Sequence, residues 1–217
     1  MSDRRRDRDV GRFGRWAASY NDSPLQRIVF APLQEATLAE AAREVPAPSA
    51  VLDIGCGTGL LLARAAERFP QARLVGVDAA EEMVAMARST APAGSSTTFE
   101  QATAEHLPFD AATFDLALTT MSFHHWADQP AALAEVHRVL VPDGVFVLTD
   151  AFPTGWLRFV FARAHHGRFN RPGDLVAMLR AAGLPFVRHV PVPRFGGTVQ
   201  VVVARSGIAA TGAGTTD

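Results

Sequence analysis

The sequence contains no lysine and only one cysteine. All 21 of its basic residues are therefore arginines, which excludes any lysine-based chemistry. The single cysteine, Cys56, lies inside a glycine-rich segment, so the sequence predicts no disulfide framework. No His or Cys pair at ligand spacing points to a metal site.

Long apolar runs and an excess of one charge are missing as well. No apolar segment approaches the length of a membrane span, and 21 basic residues face 22 acidic ones. This balance gives no support for nucleic acid as a partner. The run Arg4-Arg5-Arg6 is not followed by an apolar segment, so it is not typical of a secretory signal. We therefore expect a cytoplasmic protein without a membrane span.

One segment, 51–59, carries the strongest signal in the sequence. An apolar run ends in Asp53 and is followed by Gly55, Gly57 and Gly59, then by helix-forming residues. This pattern predicts a buried parallel strand that turns tightly into a helix. Glycine is favoured where φ is positive or where a ligand approaches the backbone. Because the first amides of a helix lack partners within the helix, we expect a ligand above this strand end.

The glycine spacing leaves more than one ligand open. A dinucleotide fingerprint reads G-x-G-x-x-G, but Leu60 stands where its third glycine belongs. No lysine follows, which excludes the phosphate-binding Walker loop. Asp78 ends the next apolar run, about twenty residues further on, where a carboxylate can accept from both hydroxyls of a ribose. NAD enzymes use an acid at the same place, so Asp78 does not discriminate between cofactors.

Apolar runs and helical patterns alternate along the chain. Strands are predicted at 50–54, 73–78, 97–101, 114–119, 145–149, 186–190 and 198–204, and helices at 60–69, 81–89 and 131–140. In the N-terminal segment, Pro32 is expected to break or kink a helical run. Such alternation predicts a doubly wound α/β fold with a parallel sheet, right-handed crossovers and a terminal hairpin.

Four segments in order resemble the motifs of class I S-adenosylmethionine (AdoMet) methyltransferases. They are the glycine turn after Asp53, the segment 103–109, the segment 114–126 and the turn 140–144. The resemblance covers 13–204 and is closest to small-molecule enzymes such as those of ubiquinone and menaquinone biosynthesis. It implies a Rossmann-like, seven-stranded, mostly parallel sheet with helices on both faces and an antiparallel last strand. It also implies AdoMet as the cofactor and in-line methyl transfer to a small, partly aromatic or apolar acceptor.

Composition and the resemblance together divide the chain. Alternating Arg and Asp predict a disordered head at 1–12, small residues predict a disordered tail at 206–217, and the resemblance implies a single domain at 13–205. Within the domain we expect a helical cap at 13–49, a cofactor-binding core at 50–150, a lid at 151–170 and a C-terminal helix and hairpin at 171–205. The chain is expected to be a monomer or a homodimer.

The cofactor-binding residues implied by the resemblance follow the strand ends. They are Tyr20, Asp53, Gly55, Cys56, Gly57, Thr58, Asp78, Ala79, Met83, Thr103, Ala104, Glu105, Thr119 and Thr120. Asp53 is expected either to meet the ammonium of the methionine part or to cap the amides of its own turn. Tyr20 either closes over the cofactor or packs against the sheet. Thr103 stands where the family usually has Asp, and a neutral acceptor binds the adenine amino group more weakly.

Two histidines, His124 and His125, follow the fourth predicted strand, near the expected position of the methyl group. Either could act as a base for a hydroxyl nucleophile, and either could be structural instead. The aromatic stretch 152–169 is expected to cover the acceptor. Two other functions remain open from the sequence: a non-catalytic AdoMet-binding or regulatory protein, and an NAD-dependent oxidoreductase.

Overall fold

The computed structural model describes residues 26–91, 96–153 and 169–207 of the chain. The predicted head, the predicted tail beyond Gly207, Tyr20 and most of the predicted lid lie outside these residues. In the described part, no helix combines the length and the apolar character that crossing a membrane requires.

Seven strands form one sheet in the order β3-β2-β1-β4-β5-β7-β6. Their bounds are Ala50–Ile54 (β1), Arg73–Asp78 (β2), Thr97–Gln101 (β3), Phe114–Thr120 (β4), Leu140–Ala151 (β5), Phe186–Pro191 (β6) and Val199–Arg205 (β7). The pairs from β3 to β5 are parallel, and β7 is antiparallel to both β5 and β6. The predicted fold, including the antiparallel last strand, is confirmed. The reversal of strand order beside β1 places a crevice at the carboxyl ends of β1 and β4.

In the described part of the chain, five α-helices flank the sheet. They are Ala31–Glu44 (α1), Leu60–Arg68 (α2), Glu81–Thr90 (α3), Gln129–Val139 (α4) and Pro172–Ala181 (α5). A π-helical turn, Gln26–Phe30, precedes α1, and Pro32 lies in the first turn of that helix. The break predicted at Pro32 is therefore a helix start, because proline is tolerated where the N–H has no helical partner.

Two apolar cores cover the two faces of the sheet. Successive residues of a buried strand point to opposite faces, so Val51 joins one core while Leu52 joins the other. The core that contains Val51 includes residues of α1, α2 and α3, whereas the core that contains Leu52 includes residues of α4 and α5. Helices on both faces leave the strand ends as the open side of the domain.

Strand β5 is longer than the sequence predicts. The turn expected at 142–144 lies inside the strand as a bulge, because Phe114 pairs with Leu140 while Leu116 already pairs with Val145. Asp143 adopts a φ of 63° in this bulge, which aspartate tolerates better than most residues. The turn residues were identified correctly, but only the partner strand shows that the ladder continues on both sides of them.

Candidate active site

The glycine turn after β1 forms the floor of a cleft at the strand ends. Gly55 and Gly57 have φ values of 76° and 54°, which favour glycine. A Cβ on Gly55 would lie 1.9 Å from the Ser122 hydroxyl oxygen, so the turn packs directly against the residues after β4. A Cβ on Gly57 would meet no heavy atom of the described residues within 4 Å. Gly57 therefore exposes its backbone to the cleft.

Asp78, at the end of β2, is hydrogen-bonded to this turn. One carboxylate oxygen accepts from the Gly57 N–H at 2.8 Å, and the other accepts from the Ala80 N–H at 2.9 Å. Burial raises the pKa of Asp78, and the hydrogen bonds from the backbone amides oppose that rise. The carboxylate remains at the cleft wall, where the sequence analysis places the ribose.

Asp53 is a buried acid with an unused oxygen. Its residue is 1% exposed, and Oδ2 has no hydrogen-bond partner among the described residues. Burial, together with the nearby charge of Asp78, raises the pKa of Asp53 to about 8. The amides of Gly55 and Cys56 donate to the Val77 carbonyl rather than to Asp53. Asp53 therefore caps neither of these two amides, and its residue lines the smaller of two adjoining cavities.

Two adjoining cavities meet at the glycine turn. The larger is an open cleft of about 900 Å³, and the smaller, of about 390 Å³, shares Phe30, Gly55, Gly57 and Thr120 with it. Of the predicted site residues, the larger cavity is lined by Gly55, Gly57, Asp78, Ala79, Met83, Thr103, Ala104, Glu105, Thr120 and His125. Asp53, Cys56 and Thr58 line the smaller one. Residues predicted from separate motifs are thus brought to one site.

Two predicted residues lie beside the cleft without lining it. Thr119 is fully buried, and its hydroxyl donates to the Ile54 carbonyl at 2.8 Å, which ties β4 to β1. His124 is buried, and its ring Nδ1 lies 2.8 Å from Asp150 Oδ1. The His124 N–H also donates to Asp150 Oδ2 at 3.0 Å. His125 faces the cleft instead, with its ring 4.0 Å from that of His124.

Several lining residues were missed by the sequence analysis. The larger cavity also contacts Phe30, Ile54, Ala80, Ala102, Met121, Ser122, Trp126 and Ala127, and the smaller one also contacts Phe30, Gln34, Leu60 and Leu61. Ser122 accepts from the Trp126 indole N–H at 3.2 Å, so this hydroxyl links the glycine turn to an aromatic wall. The position of Met121 and Ser122 directly after the fourth predicted strand was the available signal. Phe30 carried no signal, because its approach depends on how α1 packs against the sheet.

Burial also fixes the chemistry of Cys56. Its thiol is buried, and desolvation together with the charges of Asp53 and Asp78 raises its pKa well above the ordinary value. A thiol that stays protonated is a poor nucleophile, so Cys56 packs as a small residue of the turn. Among the described residues, no group of three or more His, Cys, Asp or Glu side chains is arranged to hold a metal ion.

Comparison with known proteins agrees with this geometry. A family described as a methyltransferase domain matches residues 51–144. A demethylmenaquinone methyltransferase of Thermus thermophilus is 42% identical over 146 residues, which cover 67% of this chain and 66% of that protein. An uncharacterised methyltransferase of Synechocystis is 30% identical over 198 residues, or 86% of this chain and 82% of that protein.

A solved structure shows the same fold. The 1,6-didemethyltoxoflavin N1-methyltransferase of Burkholderia thailandensis, with S-adenosylhomocysteine bound, has a TM-score of 0.66 at 24% identity and covers 90% of this chain and 87% of its own. The chain spans 53% and 66% of the length of two curated relatives that it matches. The motifs, the sheet order and these matches agree, and the chain belongs to the class I AdoMet-dependent methyltransferases.

Proposed function

We propose that this protein transfers the methyl group of AdoMet to a small, partly aromatic or apolar acceptor by in-line displacement. The observation that carries the proposal is the buried Asp53 Oδ2, which has no hydrogen-bond partner among the described residues and belongs to a residue that lines the smaller cavity. An amino-acid ammonium placed there would satisfy this oxygen and offset the cost of burying a carboxylate.

The other polar groups fit the rest of the cofactor. Gly57 leaves space for the methionine part above the turn, and Asp78 is placed to accept from the ribose hydroxyls. Thr103 and Ala104 line the cleft beyond Asp78, where the adenine would lie. Because β1, β2 and β3 are neighbours in the sheet, the residues after them would meet the methionine, ribose and adenine parts of AdoMet in that order.

Methyl transfer from AdoMet requires no covalent intermediate with the protein. When bound, AdoMet supplies a sulfonium methyl group that is already electrophilic, and the chain provides alignment and exclusion of water. Met121 and Trp126 give the acceptor side of the cleft apolar walls. Where the nucleophile is a hydroxyl, His125 is the histidine that faces the cleft, and a ring nitrogen of His125 would accept the proton. His124, bonded to Asp150, would support the neighbouring ring.

The names of relatives support the acceptor class. Two of them are named for methylating demethylmenaquinone or malonyl-[acyl-carrier protein]. Apolar walls beside a histidine fit an acceptor with an apolar or aromatic body and one nucleophilic group.

The first test is calorimetric titration of the purified protein with AdoMet and with S-adenosylhomocysteine. We expect saturable binding of both, and loss of at least about 100-fold in affinity for Asp78→Ala, because two charge-assisted hydrogen bonds to the ribose are lost. The exposed Asp174→Ala is the matched control and should bind as the unmodified protein does.

Transfer itself is then measured with methyl-labelled AdoMet and a panel of phenolic, quinol and carboxylate acceptors. Label in at least one acceptor, and none with Asp78→Ala, would support the proposal. Failure of the unmodified protein to bind either ligand at millimolar concentration would contradict it.

A further inference from the structure

The loop 103–109 borders the cleft through its first residues only. Thr103, Ala104 and Glu105 line the cavity, and the chain then reverses, with the His106 N–H donating to the Thr103 carbonyl at 3.1 Å. The position of the lining residues therefore depends on what holds the returning half of the loop.

Two charged residues of α4 hold that half. Glu135 accepts from the Leu107 N–H at 2.9 Å, while Arg138 donates to the Leu107 carbonyl at 3.0 Å. Arg138 also donates to the Phe109 carbonyl at 2.6 Å. Both backbone polar groups of Leu107 are thus bonded to one pair of side chains.

The pair is bonded to itself as well. Arg138 Nε donates to Glu135 Oε1 at 2.6 Å, and Nη2 donates to Oε2 at 2.7 Å. Each partner stabilises the charge of the other, so the pKa of Glu135 is lowered and that of Arg138 is raised. The planar guanidinium of Arg138 donates to both carboxylate oxygens of Glu135 and to the carbonyls of Leu107 and Phe109. A lysine ammonium cannot reproduce this geometry.

A second tie joins the loop to the start of α4. Glu105 accepts from the Asp128 N–H at 2.9 Å, and the Asp128 side chain caps α4 by accepting from the Ala131 N–H at 3.1 Å. The loop is therefore hydrogen-bonded both to the start of α4 and to residues near the end of that helix. An ion pair that served only its own helix would need none of these backbone contacts.

We propose that the Arg138–Glu135 pair is a positioning element of the cofactor site, which sets the affinity for the nucleoside part of AdoMet without touching it. The proposal rests on the proposed function, which places the adenine against Thr103 and Ala104. A wall fixed in advance lowers the ordering cost of binding, so loosening it should weaken every ligand that carries the nucleoside.

The test compares two arginine variants. Arg138→Lys keeps the charge but loses the fork, and Arg188→Lys is the matched control, because Arg188 pairs with Glu40 and Glu44 between β6 and α1, away from the cleft. Calorimetry measures the affinity for S-adenosylhomocysteine and for its nucleoside fragment 5′-methylthioadenosine. Urea unfolding measures the stability of each variant.

We expect Arg138→Lys to weaken both ligands by the same factor, about tenfold, and Arg188→Lys to leave both affinities unchanged at a comparable loss of stability. Glu135→Gln, which keeps an acceptor for Leu107, should weaken both ligands about threefold and serves if the lysine variant does not fold. The proposal is overturned if Arg138→Lys lowers stability alone, if only the larger ligand is weakened, or if Arg188→Lys weakens binding equally. Absence of any binding to the unmodified protein would instead overturn the proposed function.

Discussion

The two ends of the cleft are built on opposite principles. At the glycine turn, Asp53 keeps a buried oxygen without a partner among the described residues, and both Asp53 and Asp78 have raised pKa values. At the loop 103–109, the polar groups of Leu107 are fully bonded to α4. The first end is electrostatically incomplete, whereas the second is organised by the protein itself.

The difference separates two sources of affinity. Burial without a counter-ion disfavours the ionised form of Asp53 in the cofactor-free protein, and a bound cation would stabilise that form and so contribute to binding. A wall held by charge-assisted hydrogen bonds contributes little new contact on binding, but it removes a loss of entropy. Variants at the glycine turn should therefore change the free energy of unfolding and its dependence on pH. Variants at the loop 103–109 should change ligand affinity, by about tenfold or less.

The largest effect is expected from Gly55→Ala. The new Cβ would lie 1.9 Å from the Ser122 hydroxyl oxygen at a φ of 76°, so the substitution combines a clash with left-handed strain. We expect the free energy of unfolding to fall by about 2–4 kcal/mol, measured by urea denaturation.

Gly57→Ala is the control for backbone strain, because its φ is also positive but its Cβ would lie within 4 Å of no described residue. It should lose only about 1 kcal/mol of stability while it lowers the affinity for S-adenosylhomocysteine. The double variant Gly55→Ala/Ser122→Gly should recover most of the steric loss. Equal destabilisation by the two glycine variants would show that the packing against Ser122 is not what requires Gly55.

A smaller effect, visible in pH dependence, is expected from Asp53. Its pKa is raised from 3.8 to about 8, so between these values the folded protein holds a proton that the unfolded chain has released. The free energy of unfolding of the cofactor-free protein should therefore fall as pH rises through this window and level off above about 8. An ammonium beside Asp53 favours the ionised form, so binding should release a proton and tighten as pH rises.

Proton release is measured by calorimetry at pH 7 in buffers of different ionisation enthalpy. Asp53→Asn should abolish the release and the corresponding slope in stability. Asp78 faces the same region but is held by two backbone amides, and the Cys56 thiol, whose pKa is raised, stays protonated. Proton release that persists in Asp53→Asn would assign it to another group.

The sequence predicted those parts of the site that depend on neighbours in the chain. Strands β1, β2 and β3 have the predicted bounds, because apolar runs end at turn-forming residues. The two histidines could not be told apart, since only the fold brings Asp150 to His124 and leaves His125 at the cleft. The contact of Gly55 with Ser122 likewise joins two strand ends that are distant in the chain.

The smallest effect, and the sharpest contrast with Asp53, is expected from Thr103→Asp. Thr103 is partly exposed at the cleft, so a carboxylate there would stay in contact with water, unlike the buried Asp53. An ionised acceptor binds an adenine amino group more strongly than a hydroxyl does, although the nearby Glu105 carboxylate opposes the added charge. We expect S-adenosylhomocysteine to bind about threefold more tightly, with Thr103→Asn, a neutral acceptor of similar size, showing no gain. If the two variants bind S-adenosylhomocysteine equally, a negative charge at position 103 does not contribute to affinity. The affinity for the nucleoside part would then depend only on where the wall of the cleft lies.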